Sequence, residues 1–351
     1  MLGLSKQKYP SKRKKSSQQV REGEFLQKKS RSSLWLSLGA MAAVSVWGIH
    51  KAYRSWQYKE ARRVSEGGLV VNTTLGPVEY QITGSGPVVI YAHGTPGGYD
   101  QGLYFARFLG ENSCTLISPS RPGYLRTPLA SGATPEAQAD LYAALLDALG
   151  IEQASVIGFS GGGPSALQFA LRHPERCQGL IMIGAIVRRY APQEKLAQAS
   201  LWAKAQARLI EYLLVSEPFL FLVAPIARLL PFGDAVEGML CSGTVFPQRK
   251  VGYDADYTAF AAIKDSPLED LTAPVLIIHG SDDPDVPIED AELLARKIKQ
   301  ATLFAIEGGD HASFYTQSRI VMPMITQFLR HISQKKATPT ALSSSTISQI
   351  V

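Results

Sequence analysis

Residues 156–167 read VIGFSGGGPSAL. A strand-like run over Ala154–Phe159 breaks into glycine at Gly158, Gly161, Gly162 and Gly163. It resumes as a helical stretch over Pro164–Arg172, with one serine, Ser160, at the break. Clustered glycines cost backbone entropy on folding, and that cost marks a chain path that a Cβ would obstruct. Strand, then G-x-S-x-G, then helix is the pattern of a nucleophile elbow, where the serine occupies a strained turn with its Oγ at the C-terminal edge of a sheet. Gly158 and Gly162 fall where strand and helix crowd that turn, and the following helix N-terminus favours developing negative charge. The same spacing also describes an ordinary glycine-rich turn. Chemistry at Ser160 therefore requires a base, a carboxylate to orient it, and N–H donors for an oxyanion.

Each role has a candidate downstream or upstream of the serine. His311, in EGGDHASF, follows a strand-like stretch and precedes the last helix, so it is the candidate base; a surface loop histidine is the other reading. The acid follows the run PVLIIHG, in HGSDDPDVP, where Asp282, Asp283 and Asp285 compete, and Asp283, followed by Pro284, is preferred. Asp310 abuts His311, but neighbouring side chains on a turn rarely make the required ring hydrogen bond. HGTPGG (93–98) follows the run PVVIYA, and the backbone N–H of Thr95 can pair with that of Gly161 to form an oxyanion hole. His93 and His279 read as loop braces.

Around these motifs the chain alternates strand and helix. Val70–Leu75 and Val78–Thr83 flank Gly76-Pro77 as a hairpin, and Pro87–Ala92, Cys114–Ser118, Leu180–Ile186, Val275–His279 and Thr302–Ile306 read as further strands. Helical spacing appears over Glu136–Leu149, Glu289–Lys299 and about Ser313–His331. Such alternation predicts an α/β fold with a mostly parallel central sheet and helices on both faces. It stops over about residues 187–265, an insert expected to form a helical cap. Within it, Lys195–Leu214 reads as helical, and FLFLVAPIARLL (219–230) either packs within the cap, lines an acyl pocket or touches a bilayer.

HGTPGG, SRPGYLRTP (120–128), GFSGGG, HGSDDPDVP and GGDH occur in the order found in the α/β-hydrolase superfamily, which residues 68–333 resemble. The resemblance implies an α/β-hydrolase fold with Ser160 as nucleophile, Asp283 as acid and His311 as base. A serine at the elbow separates the chain from epoxide hydrolases and haloalkane dehalogenases, which place Asp there. HGTPGG is similar to the HGGPGG of proline iminopeptidases, although GFSGGG lacks the tryptophan of their elbow, and Leu125 stands where relatives often carry Gly. The implied activity is hydrolysis of an ester-like acyl bond through an acyl-enzyme, with no metal and no organic cofactor. Peptidase, lactonase or haloperoxidase-like chemistry and an inactive binding scaffold are the alternatives.

Charge bounds the partners. The 351 residues carry a formal net charge of +6, but residues 1–66 hold 15 Lys/Arg against 4 Asp/Glu, and residues 67–333 carry a net of −7. The globular part is acidic, so a nucleic-acid partner is not expected. A small, apolar acyl substrate is. Cys114, Cys177 and Cys241 are odd in number and widely spaced, unlike a disulfide framework or a zinc site. Residues 1–33 read as a basic, disordered arm, and residues 337–351 as a flexible tail. Leu34–Ile49 carries no charge, with Trp35 and Trp47 near its ends, Lys28, Lys29 and Arg31 before it, and Lys51 and Arg54 after. Sixteen helical residues span roughly 24 Å, the short end for a bilayer core. Residues 34–50 are therefore expected to be a single-pass transmembrane anchor, with a cleaved signal or a docked helix as alternatives. Six Lys/Arg in residues 14–33 against five in 50–69 lean only slightly to a cytoplasmic N-terminus with the catalytic domain on the opposite side.

Overall fold

The computed structural model of the chain describes residues 13–337 except 111, 230–232, 234–236, 239 and 241; the side chains of 13–34, 36, 37, 195, 214 and 335–337 are not described. Leu230, Cys241, residues 1–12 of the arm and 338–351 of the tail thus lie outside the described residues. The chain divides into two compact units, residues 1–56 and 57–351.

Helix α1 runs over Arg13–Glu66. Residues 13–33, expected as a disordered arm, are helical, in keeping with the helix propensity of their many Lys, Arg, Gln and Glu residues. Within the apolar stretch, Trp35, Met41, Val44, Trp47 and Ile49 are exposed. The anchor expected over residues 34–50 finds no support here: among the described residues no single helix is long and apolar enough to cross a membrane.

The second unit is built on eight strands: β1 Leu69–Thr73, β2 Gly76–Gly84, β3 Val88–Ala92, β4 Thr115–Pro119, β5 Ala154–Phe159, β6 Cys177–Ile183, β7 Val275–Gly280 and β8 Ala301–Ile306. Their order is β1-β2-β4-β3-β5-β6-β7-β8, antiparallel at β1/β2 and β2/β4 and parallel from β4 onward. The first hairpin reverses at residues 74–75 rather than at Gly76-Pro77. The Thr73 hydroxyl accepts from Leu75 N and donates to Gly76 O, and Gly76 adopts φ +125. Pro77 consequently lies in β2, opposite Asn72.

Helices cover both faces: α2 Tyr99–Leu109, α3 Pro135–Ala148, α4 Gly163–Arg172, then α5 Pro192–Gln198, α6 Leu201–Val215, α7 Glu217–Ala227 and α8 Lys250–Ala261 within residues 187–265, and finally α9 Ile288–Lys297, α10 Ser313–Thr316 and α11 Ser318–Ala337. Strand alternation divides the core. Ile90, Val156, Leu180, Met182 and Ile277 bury one face against Leu141, Leu145 and Phe169 of α3 and α4. Val89, Ile157, Phe159, Ile181 and Ile278 bury the other against Phe105, Val321, Ile325 and Leu329 of α2 and α11. Each such side chain removed from water contributes about 1.5–3 kcal/mol. The sheet is therefore held rigidly from both sides, and its C-terminal edge is free to carry loops.

Two expected helices are interrupted. Lys195–Leu214 divides into α5 and α6 because the Ser200 side chain caps α6, accepting from Ala203 N. The last helix divides at Gln317 into α10 and α11. FLFLVAPIARLL forms most of α7, with Leu220, Ala224 and Ala227 buried on one face and Leu222, Ile226 and the following Leu229 exposed on the other. Leu222 and Ile226 point to solvent, so neither lines an enclosed pocket.

Candidate active site

Parallel pairing brings the three motif-bearing loops to one edge. Ala92 pairs with Gly158, so the loop His93–Gly98 leaves β3 beside the turn that leaves β5. Ile183 pairs with Ile278 and Gly280 with Ile306, which aligns the exits of β6, β7 and β8 on the same edge. Ser160 sits at the β5 exit with φ +51, a left-handed conformation that is uncommon for a residue with a side chain. The turn closes only because two neighbours lack Cβ atoms. A Cβ at Gly158 would come within 2.8 Å of Ala166 Cβ, and one at Gly162 would strike the Ala92 carbonyl. Leu125 also adopts φ +50, so the loop keeps the backbone of a glycine despite the leucine.

Three side chains from three loops meet at the edge. His311 Nε2 lies 3.0 Å from Ser160 Oγ, and His311 Nδ1 lies 2.7 Å from Asp283 Oδ2. A carboxylate can only accept, so His311 donates through Nδ1–H and its Nε2 accepts from the serine hydroxyl. The other oxygen, Asp283 Oδ1, accepts from the N–H groups of Asp285 at 2.8 Å and Val286 at 3.0 Å. Burial works to raise the Asp283 pKa, but the hydrogen bond and charge of His311 and these two backbone donors bring it below the usual carboxylate value. Burial works to lower the His311 pKa, and the hydrogen bond and charge of Asp283, with Asp285 and Asp310 nearby, outweigh it and raise it. The Phe159 ring lies 5.6 Å from that of His311, tilted by 30°, and limits its movement.

Of the competing acids, Asp310 and Asp282 are engaged elsewhere, and Asp285 is not. Asp310 Oδ1 accepts from Ala312 N at 3.0 Å and from Ser313 Oγ at 2.8 Å, holding the start of α10 rather than the imidazole. Asp282 is exposed and accepts from Ser281 Oγ. Asp285 contributes its backbone to Asp283, and its exposed carboxylate lies in the same cluster.

Thr95 and Gly161 come together beside Ser160. A Cβ at Gly161 would strike Thr95 Oγ1, and one at Gly94 would lie 3.3 Å from Ser160 Cβ. Thr95 N has no protein acceptor among the described residues, and Gly161 N belongs to the first turn of a helical segment, where N–H groups have no intrahelical acceptor. Two donors are therefore available on one side of the serine.

His93 is fully buried. Its Nδ1 donates to Gly94 O at 2.8 Å, and its Nε2 accepts from Arg121 N at 2.9 Å. Burial and the neighbouring Arg121 hold its pKa well below the ordinary histidine value, so it braces the loop as a neutral ring. His279 Nε2 donates to Val286 O at 2.9 Å and steadies the acid-bearing loop. Cys114 and Cys177 are free and buried, their thiols pushed up by burial to about 11 and about 12, and neither lies in this cluster.

Sequence reasoning missed Arg121 and Asp256. The Arg121 guanidinium, buried against the His93–Thr95 loop, forms a two-point ion pair with Asp256 of α8. The run SRPG after β4 singled out this loop, but nothing in the sequence marks Asp256 among the acids of the insert.

A family described as "alpha/beta hydrolase fold" matches residues 87–232, and one described as "TAP-like protein" matches residues 252–339. A poly(3-hydroxyalkanoate) depolymerase of Ectopseudomonas oleovorans is 32% identical over 205 residues, which are 56% of this chain and 68% of the relative. An alpha/beta hydrolase fold protein from Nakamurella multipartita is 33% identical, with a TM-score of 0.62 over 75% of this chain and 99% of the other. A thermophilic esterase from Thermogutta terrifontis is 26% identical, with a TM-score of 0.57 over 76% of this chain and 98% of the esterase.

Proposed function

Because the chain belongs to the α/β-hydrolase superfamily, we propose that it is a serine hydrolase that cleaves an ester-like acyl bond through an acyl-enzyme intermediate. The observation that carries this reading is the continuous hydrogen-bonded chain from Ser160 Oγ through His311 to Asp283. His311 takes the hydroxyl proton as Ser160 attacks the carbonyl carbon, and Asp283 stabilises the resulting imidazolium and fixes its tautomer. The oxyanion accepts from Thr95 N and Gly161 N, two donors fixed before the reaction begins. The leaving alcohol receives the proton from His311, and water then repeats the sequence to release the acid. The similarity to a depolymerase of a polyester and to an esterase favours an ester over an amide as substrate.

The surroundings favour an apolar acyl group. Ile186, Phe260 and Val286 form a small buried cluster, with Tyr190 and Ile263 packed on it. Ile186 N donates to Ser160 O and Val286 N to Asp283 Oδ1, so this cluster borders the reacting groups directly. An acyl series of p-nitrophenyl esters tests the reading. Each further methylene buried against apolar walls is worth about 0.8 kcal/mol, nearly fourfold in kcat/KM. The expected profile rises over several carbons from acetyl. A flat or falling profile points to a small or polar substrate, and no hydrolysis of any ester by folded protein removes the esterase reading.

A membrane tether through residues 34–50, with the N-terminus cytoplasmic and the hydrolase unit opposite, belongs to the same proposal. Its motive is the sequence alone, the uncharged stretch Leu34–Ile49 with Trp35 and Trp47 near its ends and Lys/Arg on both flanks. Full-length protein is expected in the membrane fraction of expressing cells, and protein lacking residues 1–56 in the soluble fraction with activity intact. Uncleaved full-length protein recovered from the soluble fraction overturns the tether and leaves the enzyme reading untouched.

A further inference from the structure

We propose that Asp256, on the cap helix α8, is a positioning residue that sets the oxyanion-binding loop, so that the cap controls the rate of the chemical step. The proposal rests on the serine-hydrolase reading above. Thr95 contributes its main-chain N–H to the expected oxyanion hole, and its side chain is held from the cap. Its hydroxyl donates to Asp256 Oδ2 and accepts from Arg121 Nη2 at 3.0 Å. Both hydrogen-bonding directions of the hydroxyl are thereby used, which fixes the side chain and, through χ1, constrains the orientation of the residue.

Arg121 extends the same control along the loop. Its Nε donates to His93 O at 2.9 Å and its Nη2 to Gly94 O at 3.4 Å, so one guanidinium holds three consecutive residues, 93 to 95. Asp256 in turn holds the guanidinium through two parallel bonds of 2.6 Å and accepts from Tyr124 OH at 2.5 Å. Arg121 is 1% exposed and Asp256 3%, so the pair operates away from water, where such bonds are directional and strong.

The same helix reaches the second donor. Phe260, one turn beyond Asp256, lies against Gly161, where an added Cβ would approach its ring to 2.9 Å. One rigid element of the cap thus touches both residues whose N–H groups must converge on one oxygen. Oxyanion stabilisation depends on donors standing about 2.7–3.1 Å from where the charge develops, and losing one donor typically costs about 10²–10³ in rate. A shift of α8, or release of Thr95 from it, moves the donor without touching Ser160, His311 or Asp283.

The experiment separates positioning from simple attachment of the cap. Asp256→Asn and Thr95→Val are compared with wild type in kcat, KM, thermal melting and affinity for an alkyl boronic acid, which forms a tetrahedral adduct with the serine. A positioning role predicts that both variants lose about 10- to 100-fold in kcat with KM little changed. Boronate affinity should fall by a similar factor, because the adduct resembles the transition state. Thr95→Ser, which keeps the hydroxyl, should restore most of the rate, and the double variant should lose less than the product of the single losses. Asp256→Asn leaves Arg121 buried without its counter-charge and can fail to fold; Thr95→Val leaves the ion pair in place and then decides alone. Unchanged kcat and boronate affinity in folded Thr95→Val, or losses confined to KM or melting temperature, overturn the proposal. Absence of esterase activity in wild type would instead overturn the function it rests on.

Discussion

Ser160→Ala is expected to abolish labelling by a fluorophosphonate and to lower kcat by about 10⁶ while the fold is retained. Alanine keeps the Cβ that the turn already accommodates at φ +51, so the substitution adds no backbone strain beyond what the serine carries. The hydroxyl it removes bonds to His311 Nε2 at 3.0 Å, and no buried donor in the core loses a partner. What disappears is the nucleophile alone. The residual rate reflects the Thr95 and Gly161 donors and substrate binding, which in such sites leave about 10³–10⁴ over water. Intact-protein mass spectrometry of the labelled wild type and variant, with circular dichroism of both, measures this directly. Equal labelling of the variant would move the nucleophile away from Ser160, and no labelling of folded wild type would favour a binding scaffold.

Asp283→Asn should be nearly as damaging, with a loss of about 10⁴ in kcat. The amide keeps the size of the carboxylate but can present its NH₂ to His311 Nδ1. That arrangement selects the tautomer with the proton on Nε2, which cannot accept from Ser160. The pH profile adds a second readout. In the proposed mechanism His311 serves as the base only when neutral, so wild-type kcat/KM is expected to rise with pH through a His311 pKa that Asp283 helps to raise. Removing the negative charge takes away part of what favours the imidazolium. The pKa falls, and the acid limb of the variant's profile moves to lower pH. Asp310→Asn is expected to change both rate and profile little, since its oxygen serves Ala312 N and Ser313 Oγ and an amide oxygen can do the same. A crippled Asp310 variant beside a tolerant Asp283 variant would transfer the acid role.

Local features of the chain were readable because their physics is local. The elbow is a matter of which residues can sit within a few positions of a strand end, and the glycine spacing around Ser160 records that steric demand. The strands around it follow from apolar runs bounded by turn residues, and β5 begins and ends as its sequence suggests. Boundaries that depend on side-chain hydrogen bonds were less legible. Thr73 moved the first hairpin turn by closing it with its hydroxyl, and Ser200 divided a helix by capping its second half.

The choice among Asp282, Asp283, Asp285 and Asp310 was open in the sequence beyond a preference for Asp283. All four lie on the loops after β7 and β8, and the fold of those loops, with Asp283 Oδ1 held by the N–H groups of Asp285 and Val286, decides which carboxylate bonds to the ring. The Arg121–Asp256 pair was hidden for a stronger reason. The partners are 135 residues apart, and Asp256 is one of two acids on a helix of the insert, beside Asp254. What the sequence determined alone was the elbow, the alternating sheet and the set of candidate groups, because steric and hydrophobic preferences act between near neighbours in the chain. Which acid bonds to His311, and which residue of α8 reaches Thr95, was decided only by the folded arrangement. Hydrogen bonds are directional and short, and their partners are chosen by the conformation of the loops at the sheet edge and by the seating of α8.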